Sequence, residues 1–248
     1  MKVVGIIPSR YASSRLPGKP LKDICGKSMV QRVYERAKQS KLLDEVIVAT
    51  DDKRIIEEVE RFKGKAVMTS VNHPNGTSRI AEVVKNMDVD LVINIQGDEP
   101  FIRFEMIDEL TEILIKDEGI LMATLCYELH DKNKFKDENV VKVVCDIHRN
   151  ALYFSRSLIP FPRKKENYKV YEHIGIYGYR KSFLQEFVKL DNTPLSIIES
   201  LEQLKVLECG YKLYVAETKH DYNALSIDTQ EDLEEARRII ENKQDIQY

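Results

Sequence analysis

The residues best placed to do chemistry lie in three short segments. The first is Pro8-Ser9-Arg10-Tyr11-Ala12-Ser13-Ser14-Arg15-Leu16-Pro17-Gly18-Lys19-Pro20, directly after the apolar run Val3-Val4-Gly5-Ile6-Ile7. In an open α/β sheet, ligands bind at the carboxyl edge of the strands. Arg10, Arg15 and Lys19 at that edge, with loop amides beside them, fit a polyphosphate. One cation would read as a solvated surface charge; three in one small-residue loop favour phosphate. The second segment is Gln96-Gly97-Asp98-Glu99-Pro100, which follows the run Leu91 to Ile95. Asp98 is therefore expected at the same edge, where a carboxylate beside phosphates suits Mg²⁺. Glu99, before a proline, reads as turn chemistry and ranks below it. Asp88-Val89-Asp90 has a DxD pattern but precedes its strand, so a surface turn is expected. The third segment is Ser226-Ile227-Asp228-Thr229-Gln230-Glu231-Asp232-Leu233. Here a helix cap and a metal ligand explain Asp228 equally well.

Missing motifs narrow the chemistry. No GxGxxG follows the first strand and no GxxxxGK[ST] occurs, which disfavours a dinucleotide dehydrogenase and a P-loop kinase. The 248 residues carry 38 Lys+Arg against 41 Asp+Glu, a net charge of -3, which argues against nucleic acid as the main partner. An apolar content of 43% supports a full core. Cys25, Cys126, Cys145 and Cys209 are widely spaced, so neither a zinc site nor a disulfide framework is expected. The first apolar run is too short for a signal-peptide core and no stretch approaches a membrane span. A cytoplasmic protein without membrane insertion is expected.

The elements that must position these residues follow from hydrophobic period. Strands are expected at Val3–Ile7, Glu45–Ala49, Ala66–Met68 and Leu91–Ile95. Helical stripes run over Met29–Lys38, through Ile55, Ile56, Val59 and Phe62, and through Ile80, Val83, Val84 and Met87; Asp51 or Asp52 is placed to cap the second. This alternation predicts an α/β fold with a mostly parallel sheet covered by helices. No element is assigned between Pro100 and residue 119. Strands then crowd together at Ile120–Tyr127, Val140–Cys145, Ala151–Phe154 and His173–Tyr179, with an exposed loop around Pro160, Pro162 and the charged stretch Arg163–Asn167. Helices return at Lys181–Leu190 and Ser196–Cys209, then a strand at Lys212–Ala216 and a helix from Gln230 to Asn242. One domain is expected, with 1–118 mainly binding nucleotide, 119–215 a strand-rich part for sugar binding and dimerisation, and 216–248 a metal-binding loop and final helix.

Taken together, PSRYASSRLPGKPL, INIQGDEP, VVKVVCD followed by ALYFSRSLIP, HIGIYGYR, LEQLKVLECG and IDTQEDLEEA resemble, in the same order, the cytidylyltransferases that activate 3-deoxy-manno-octulosonate (Kdo). The resemblance implies a nucleotide-diphospho-sugar transferase-like mixed sheet, a homodimer, and CTP, Mg²⁺ and a 3-deoxy-2-ulosonic sugar acid as ligands. It implies that the sugar's anomeric hydroxyl attacks the α-phosphate of CTP and releases pyrophosphate, in service of lipopolysaccharide or capsule synthesis. Pro8, Arg10, Ser13, Arg15, Lys19, Thr69, Gly76 and Arg79 would then hold the nucleotide. Asp98 and Asp228 would be metal ligands and, with Arg10 and Lys19, carry catalysis. Gln96, Arg156, His173, Tyr177, Glu202 and Gln203 would line the sugar pocket. Without the resemblance, core packing, a surface charge or a solvated helix face would explain the last five, and His73 and His220 are assigned no role.

Two segments depart from the usual pattern. Where the family commonly reads SGTER or SGTDR, this chain has Asn75-Gly76-Thr77-Ser78-Arg79. Where it commonly reads PGTGVD, this chain has Asn223-Ala224-Leu225-Ser226-Ile227-Asp228, which restricts the backbone. Both departures fall near the expected sugar or metal region. They leave open Kdo, its 8-amino analogue or another 2-keto-3-deoxy sugar acid. A different sugar nucleotidyltransferase and a non-catalytic nucleotide-binding paralogue rank lower, because all three cations and both carboxylates are present.

Overall fold

The computed structural model describes residues 1–12, 15–164, 166, 168–222 and 225–245, with backbone only for 243–245. Its contacts divide the chain into two units, Met1–Asp108 with Asn223–Tyr248, and Glu109–Tyr222.

The first unit is built on β1 (Val3–Ser9), whose apolar run is buried on both faces. The hairpin strands β2 (Asp23–Ile24) and β3 (Lys27–Ser28) lead into helix α1 (Met29–Ala37). Next come β4 (Glu45–Thr50), α2 (Lys53–Arg61), β5 (Ala66–Met68), α3 (Gly76–Val84) and β6 (Leu91–Asn94). β1 pairs in parallel with β4 and β6, and β4 in parallel with β5. Parallel pairing with helical crossovers is what continuous β-branched runs call for. Each crossover helix starts on a short polar cap: Ser28 accepts from Gln31 N, Asp52 from Arg54 N and Asn75 from Ser78 N. Of the two candidates for the α2 cap, Asp52 takes the role.

One helix was not expected. α4 (Phe104–Lys116) fills the segment left unassigned and carries the boundary between the units. Its stripe Met106, Ile107, Leu110, Leu114 is fully buried and has helical spacing. Pro100 and the short turn after it mask the start.

The second unit holds β7 (Met122–Glu128), β8 (Lys142–Cys145), β9 (Ala151–Ser155) and β10 (Tyr171–Arg180). β10 runs antiparallel to β7 and β8, and β8 to β9. Helices α5 (Lys181–Phe187), α6 (Pro194–Glu199) and α7 (Leu204–Glu208) precede β11 (Tyr214–Glu217), which joins β7 in parallel. Sheet pairing over the chain is therefore mixed, within an α/β fold. The single helix expected over Ser196–Cys209 is two. Ser200 turns left-handed at φ 52° and ends α6. The break buries Leu201 and Leu204 while Ile197 and Ile198 stay exposed, a pattern that one continuous helix would not give.

The last helix, α8 (Gln230–Asp245), returns to the first unit. Its Leu233 and Ala236 form a small apolar cluster with Leu16, Ile24, Met29 and Ile227, joined by Phe101, Leu225 and Ile240. The cluster thus holds Leu16 of the basic loop and Ile227 beside Asp228. Ile227→Ala is expected to cost about 2–4 kcal/mol, read as a lowered urea midpoint with an unchanged m-value.

Candidate functional site

The basic loop is braced before any ligand arrives. Gly18 sits at φ 68°, donates to Tyr11 O at 3.1 Å, and opens a single 3₁₀ turn at Lys19–Leu21. A side chain at Gly18 would meet the Tyr11 ring at 3.2 Å and would be strained at that φ. Arg54 lies over the Tyr11 ring, its guanidinium carbon 3.3 Å from the ring centroid. Asp52 in turn holds Arg54 through Nε at 2.9 Å and Nη2 at 2.6 Å. The α2 cap therefore also fixes the loop.

Lys19 leaves this turn to meet two carboxylates. Its Nζ lies 2.8 Å from Asp98 Oδ2 and 3.0 Å from Asp228 Oδ1. Arg15 Nη2 meets the other oxygen of Asp228 at 3.0 Å. Burial pulls the Lys19 ammonium down, but Asp98 and Asp228 outweigh it, so its affinity for the proton is raised above the ordinary value. Asp98 follows β6 in a turn that only glycine permits. A Cβ on Gly97 would stand 2.8 Å from Pro8 O and 3.0 Å from Ser9 Oγ. Asp228 is placed by Ile227, whose N–H donates to Asp98 O at 2.9 Å.

The cap explanation for Asp228 is removed by its neighbours. Thr229 Oγ1 accepts from Asp232 N at 3.2 Å, and Asp232 Oδ2 accepts from Thr229 N at 2.8 Å. That reciprocal pair is a capping box. It starts α8 and leaves the Asp228 carboxylate to the cations.

These groups line one cavity of about 320 Å³, with Pro8, Arg10, Arg15, Lys19, Gly76, Arg79, Gln96, Asp98 and Asp228 in its wall. Arg10 is exposed and makes no ion pair among the described residues. The amino end of α3 also faces the cavity through Pro74, Asn75 and Gly76, where helix amides favour an anion. Gly76 lets that end approach the Pro8 ring, since a Cβ there would lie 3.1 Å from Pro8 Cγ. Arg79 is 3% exposed and pairs with Asp51 Oδ2 at 2.6 Å. It also donates to Thr69 Oγ1, which donates to Thr50 O at 2.9 Å. Thr69 thus stands behind Arg79. Ser13 lies outside the described residues.

Sequence reasoning missed two members of this site. Asp51 was considered only as a cap, although two adjacent aspartates after a parallel strand leave one free for another task. His73 lines the cavity and bonds Glu82, which also accepts from Ser70 N at 3.0 Å. No spacing in the sequence announces that pair. Asp88 and Asp90 bind Lys2, the latter at its backbone N, away from the cavity.

The five remaining sugar candidates belong to the second unit. Arg156 Nε donates to Glu199 O and Nη1 to Glu138 O, each at 2.8 Å. Glu202 and Gln203 lie at the junction of α6 and α7 rather than mid-helix; Gln203 is buried, and Glu202 lies 3.5 Å from the buried Lys205 ammonium. In β10 a register shift falls between Ile174 and Tyr177. The rings of His173 and Tyr177 lie 5.4 Å apart there, and Phe154 meets His173 edge-on at 5.0 Å. Thr124 Oγ1 is 2.7 Å from Ile176 O and 3.1 Å from His173 Nε2. A hydroxyl donating to that carbonyl accepts from Nε2–H of a neutral imidazole.

The chain's relatives bear on what this arrangement does. The cytidylyltransferase family model matches residues 4–213. The chain belongs to that family. A 3-deoxy-manno-octulosonate cytidylyltransferase of Fusobacterium nucleatum is 55% identical, covering 97% of this chain and 97% of its own length. One of Syntrophus aciditrophicus is 48% identical over 96% of this chain and 97% of its own. Among solved structures, a CMP:2-keto-3-deoxy-manno-octonic acid synthetase complexed with CTP superposes with a TM-score of 0.94 at 42% identity, covering 98% of this chain and 100% of that one. The fold is thus the mixed, mostly parallel α/β fold of these cytidylyltransferases.

Burial pushes the His173 imidazole down to about 3, whereas in the unfolded chain it titrates near 6.5. The unfolded state therefore takes up the proton first. The stability tied to the neutral ring is complete above about pH 6.5 and is lost progressively toward pH 3. Between pH 7.5 and 5 the loss is about 2 kcal/mol. His173→Gln should shrink the difference in unfolding free energy between those pH values by about that amount, measured by urea titration; an unchanged difference removes His173 as its source.

Proposed function

We propose that this cytidylyltransferase transfers CMP from CTP to the anomeric hydroxyl of 3-deoxy-manno-octulosonate, releasing pyrophosphate. The observation that carries the reading is one ammonium, Lys19, held between two carboxylates at the carboxyl edge of a parallel sheet, in a chain 55% identical to a protein named for this activity.

Arg10, Arg15 and Lys19 bind the triphosphate, and the amino end of α3 adds donors. Because Asp98 and Asp228 keep it charged, Lys19 meets the phosphates as a cation and offsets the charge that develops on the α-phosphate and the leaving pyrophosphate. Arg79, locked by Asp51 and Thr69, gives the cavity a fixed wall, which suits recognition of a planar base. A donor set of two carboxylates reaching one positive centre fits Mg²⁺, which completes its shell from substrate phosphates and water rather than from an all-protein cage. Among the described residues no group of three or more metal-ligating side chains occurs. Asp98 and Asp228 would hold the ion. When bound it supplies a Lewis acid for the phosphate oxygens.

Kdo is preferred to its 8-amino analogue because relatives at 55% and 48% identity are named for 3-deoxy-manno-octulosonate, and the described departures Ser78, Leu225 and Ile227 are engaged within the fold. Ser78 Oγ donates to Asn75 O at 3.0 Å, and Asn75 Oδ1 accepts from Ser78 N at 2.9 Å. Asn75 and Ser78 form a cap in place of the usual Ser and acidic pair. Leu225 and Ile227 pack into the apolar cluster; Asn223 and Ala224 lie outside the described residues. A homodimer is part of the proposal. α6 turns Ile197 and Ile198 outward, 62% and 78% exposed, as a covered face would require. Among the described residues no helix is long and apolar enough to cross a membrane. The cytoplasm, where CTP is made, is the proposed site of the reaction.

Pyrophosphate release with CTP and Mg²⁺ tests the reading. Turnover is expected with Kdo and at least about tenfold less with 8-amino-Kdo; the reverse order would reject Kdo as the substrate. EDTA should abolish turnover and added MgCl₂ restore it. Lys19→Met and Asp98→Asn should each lower kcat/KM by about 100-fold or more. Sedimentation should give a dimer for the parent and a monomer for Ile198→Asp.

A further inference from the structure

Arg156 is held in a frame that a surface charge would not need. Three of its nitrogens are committed. The backbone N donates to Glu199 Oε2 at 3.0 Å, Nε to Glu199 O at 2.8 Å and Nη1 to Glu138 O at 2.8 Å. One residue, Glu199, therefore grips both the backbone and the side chain of Arg156. Nη2 makes no protein hydrogen bond among the described residues.

Glu199 is itself fixed. Its Oε1 accepts from Ser155 Oγ at 2.7 Å and Tyr153 OH at 3.4 Å. Burial works against the charged form, but these donors and the Arg156 N–H outweigh it and hold the carboxyl below its ordinary range. The next residue, Ser200, leaves α6 in the left-handed conformation, so the Glu199 carbonyl faces Arg156 instead of continuing a helix ladder. On the other side stands Lys142, a fully buried lysine in β8. Its ammonium donates to Asp137 O at 2.8 Å, Val140 O at 2.5 Å and also Arg156 O. The backbone of Arg156 is thus held at both its groups, by a carboxylate at its N–H and an ammonium at its C=O.

A buried cation satisfied only by carbonyls is costly to build. So is a carboxylate used wholly on one strand end. An arginine that merely decorated the surface would need neither. A long side chain loses rotamer freedom on binding an anion, and a frame that removes that freedom beforehand strengthens the contact. We propose that Glu199 is a positioning residue for the sugar acid, fixing Arg156 so that its free Nη2 edge meets the sugar's carboxylate, with Lys142 holding the Arg156 carbonyl. The proposal rests on the assignment of Arg156 to the sugar site.

The experiment measures steady-state KM for Kdo and for CTP, with CTP binding by calorimetry, in the parent and in Glu199→Ala, Glu199→Gln and Arg156→Met. Glu199→Ala is expected to raise the Kdo KM by about tenfold or more while CTP binding stays within about twofold. Glu199→Gln keeps one carbonyl acceptor for the Arg156 N–H, so it should lie between Ala and the parent. A merely structural role would weaken CTP binding as well and show no ordering from Ala to Gln, and that result overturns the proposal. If Arg156→Met raises the Kdo KM but both Glu199 variants leave it unchanged, the assignment of Arg156 stands and the proposal fails. If Arg156→Met also leaves it unchanged, assignment and proposal fall together. Should Glu199→Ala not fold, the Gln variant decides alone: a Kdo KM raised about threefold or more at unchanged CTP affinity supports the proposal, and an unchanged KM overturns it.

Discussion

The contact of one ammonium with two carboxylates is the constraint around which the first unit is arranged. Lys19 and Asp228 are 209 residues apart in sequence and 3.0 Å apart in space. Three separate devices bring them there. β1 leads into a loop braced by Gly18, Tyr11 and Arg54; the turn after β6 carries Gly97 close to Pro8; and α8 is held by apolar burial. The ion pairs themselves are only partly shielded from solvent and contribute modestly. What fixes the geometry is the cluster that contains both Leu16 and Ile227. Each fully buried aliphatic side chain there is worth about 1.5–3 kcal/mol, more than any one of the exposed pairs. Charge therefore decides what the site can do, and hydrophobic burial decides where the charges stand.

The second unit solves a different problem. Its strands and α7 carry charges out of reach of water: Lys142, Glu172 and Lys205 are all buried. Burial, with nearby Asp137, raises the Glu172 carboxyl, while Lys134 and Lys142 pull it the other way; burial lowers Lys142. Such groups would be replaced by apolar ones if stability alone were at stake. The two lysines each touch a residue of the expected sugar pocket. Lys142 lies behind Arg156, and Lys205 sits within 3.5 Å of Glu202 and over the Phe187 ring. A polyhydroxylated acid needs donors and acceptors at fixed positions, and fixed polar groups need a second polar layer to hold them.

Much of this was legible in the residues. Continuous β-branched runs gave β1, β4 and β6, because a strand buried on both faces has no polar side. The grouping of Arg10, Arg15, Lys19 and Asp98 followed from their position after such strands. Asp228 stayed ambiguous only while Asp232 went unread: Thr229 and Asp232, three apart, are the capping pair, which removes the cap explanation from Asp228. α4 was missed although its buried stripe is regular. The break at Ser200 was not legible, since nothing local marks a serine for the left-handed region and only burial of Leu201 and Leu204 demands it. The Arg79–Asp51 pair joins α3 to the end of β4, and a contact between two crossovers leaves no trace in either one's periodicity.

The two departures from the family pattern show how far a motif can drift without moving the groups that react. The usual Ser followed three residues later by an acid is a capping box, and its purpose is to start a helix whose amino end faces the cavity. Asn75 with Ser78 starts the same helix by other bonds, so Gly76 still faces Pro8 and Arg79 still reaches Asp51. In the approach to the last aspartate, which lacks the usual glycines, Leu225 and Ile227 pack into the apolar cluster. In both places the motif letters change while the physical task is kept. Read as helix start and as anchor, the described residues Ser78, Leu225 and Ile227 are accounted for by tasks inside the fold.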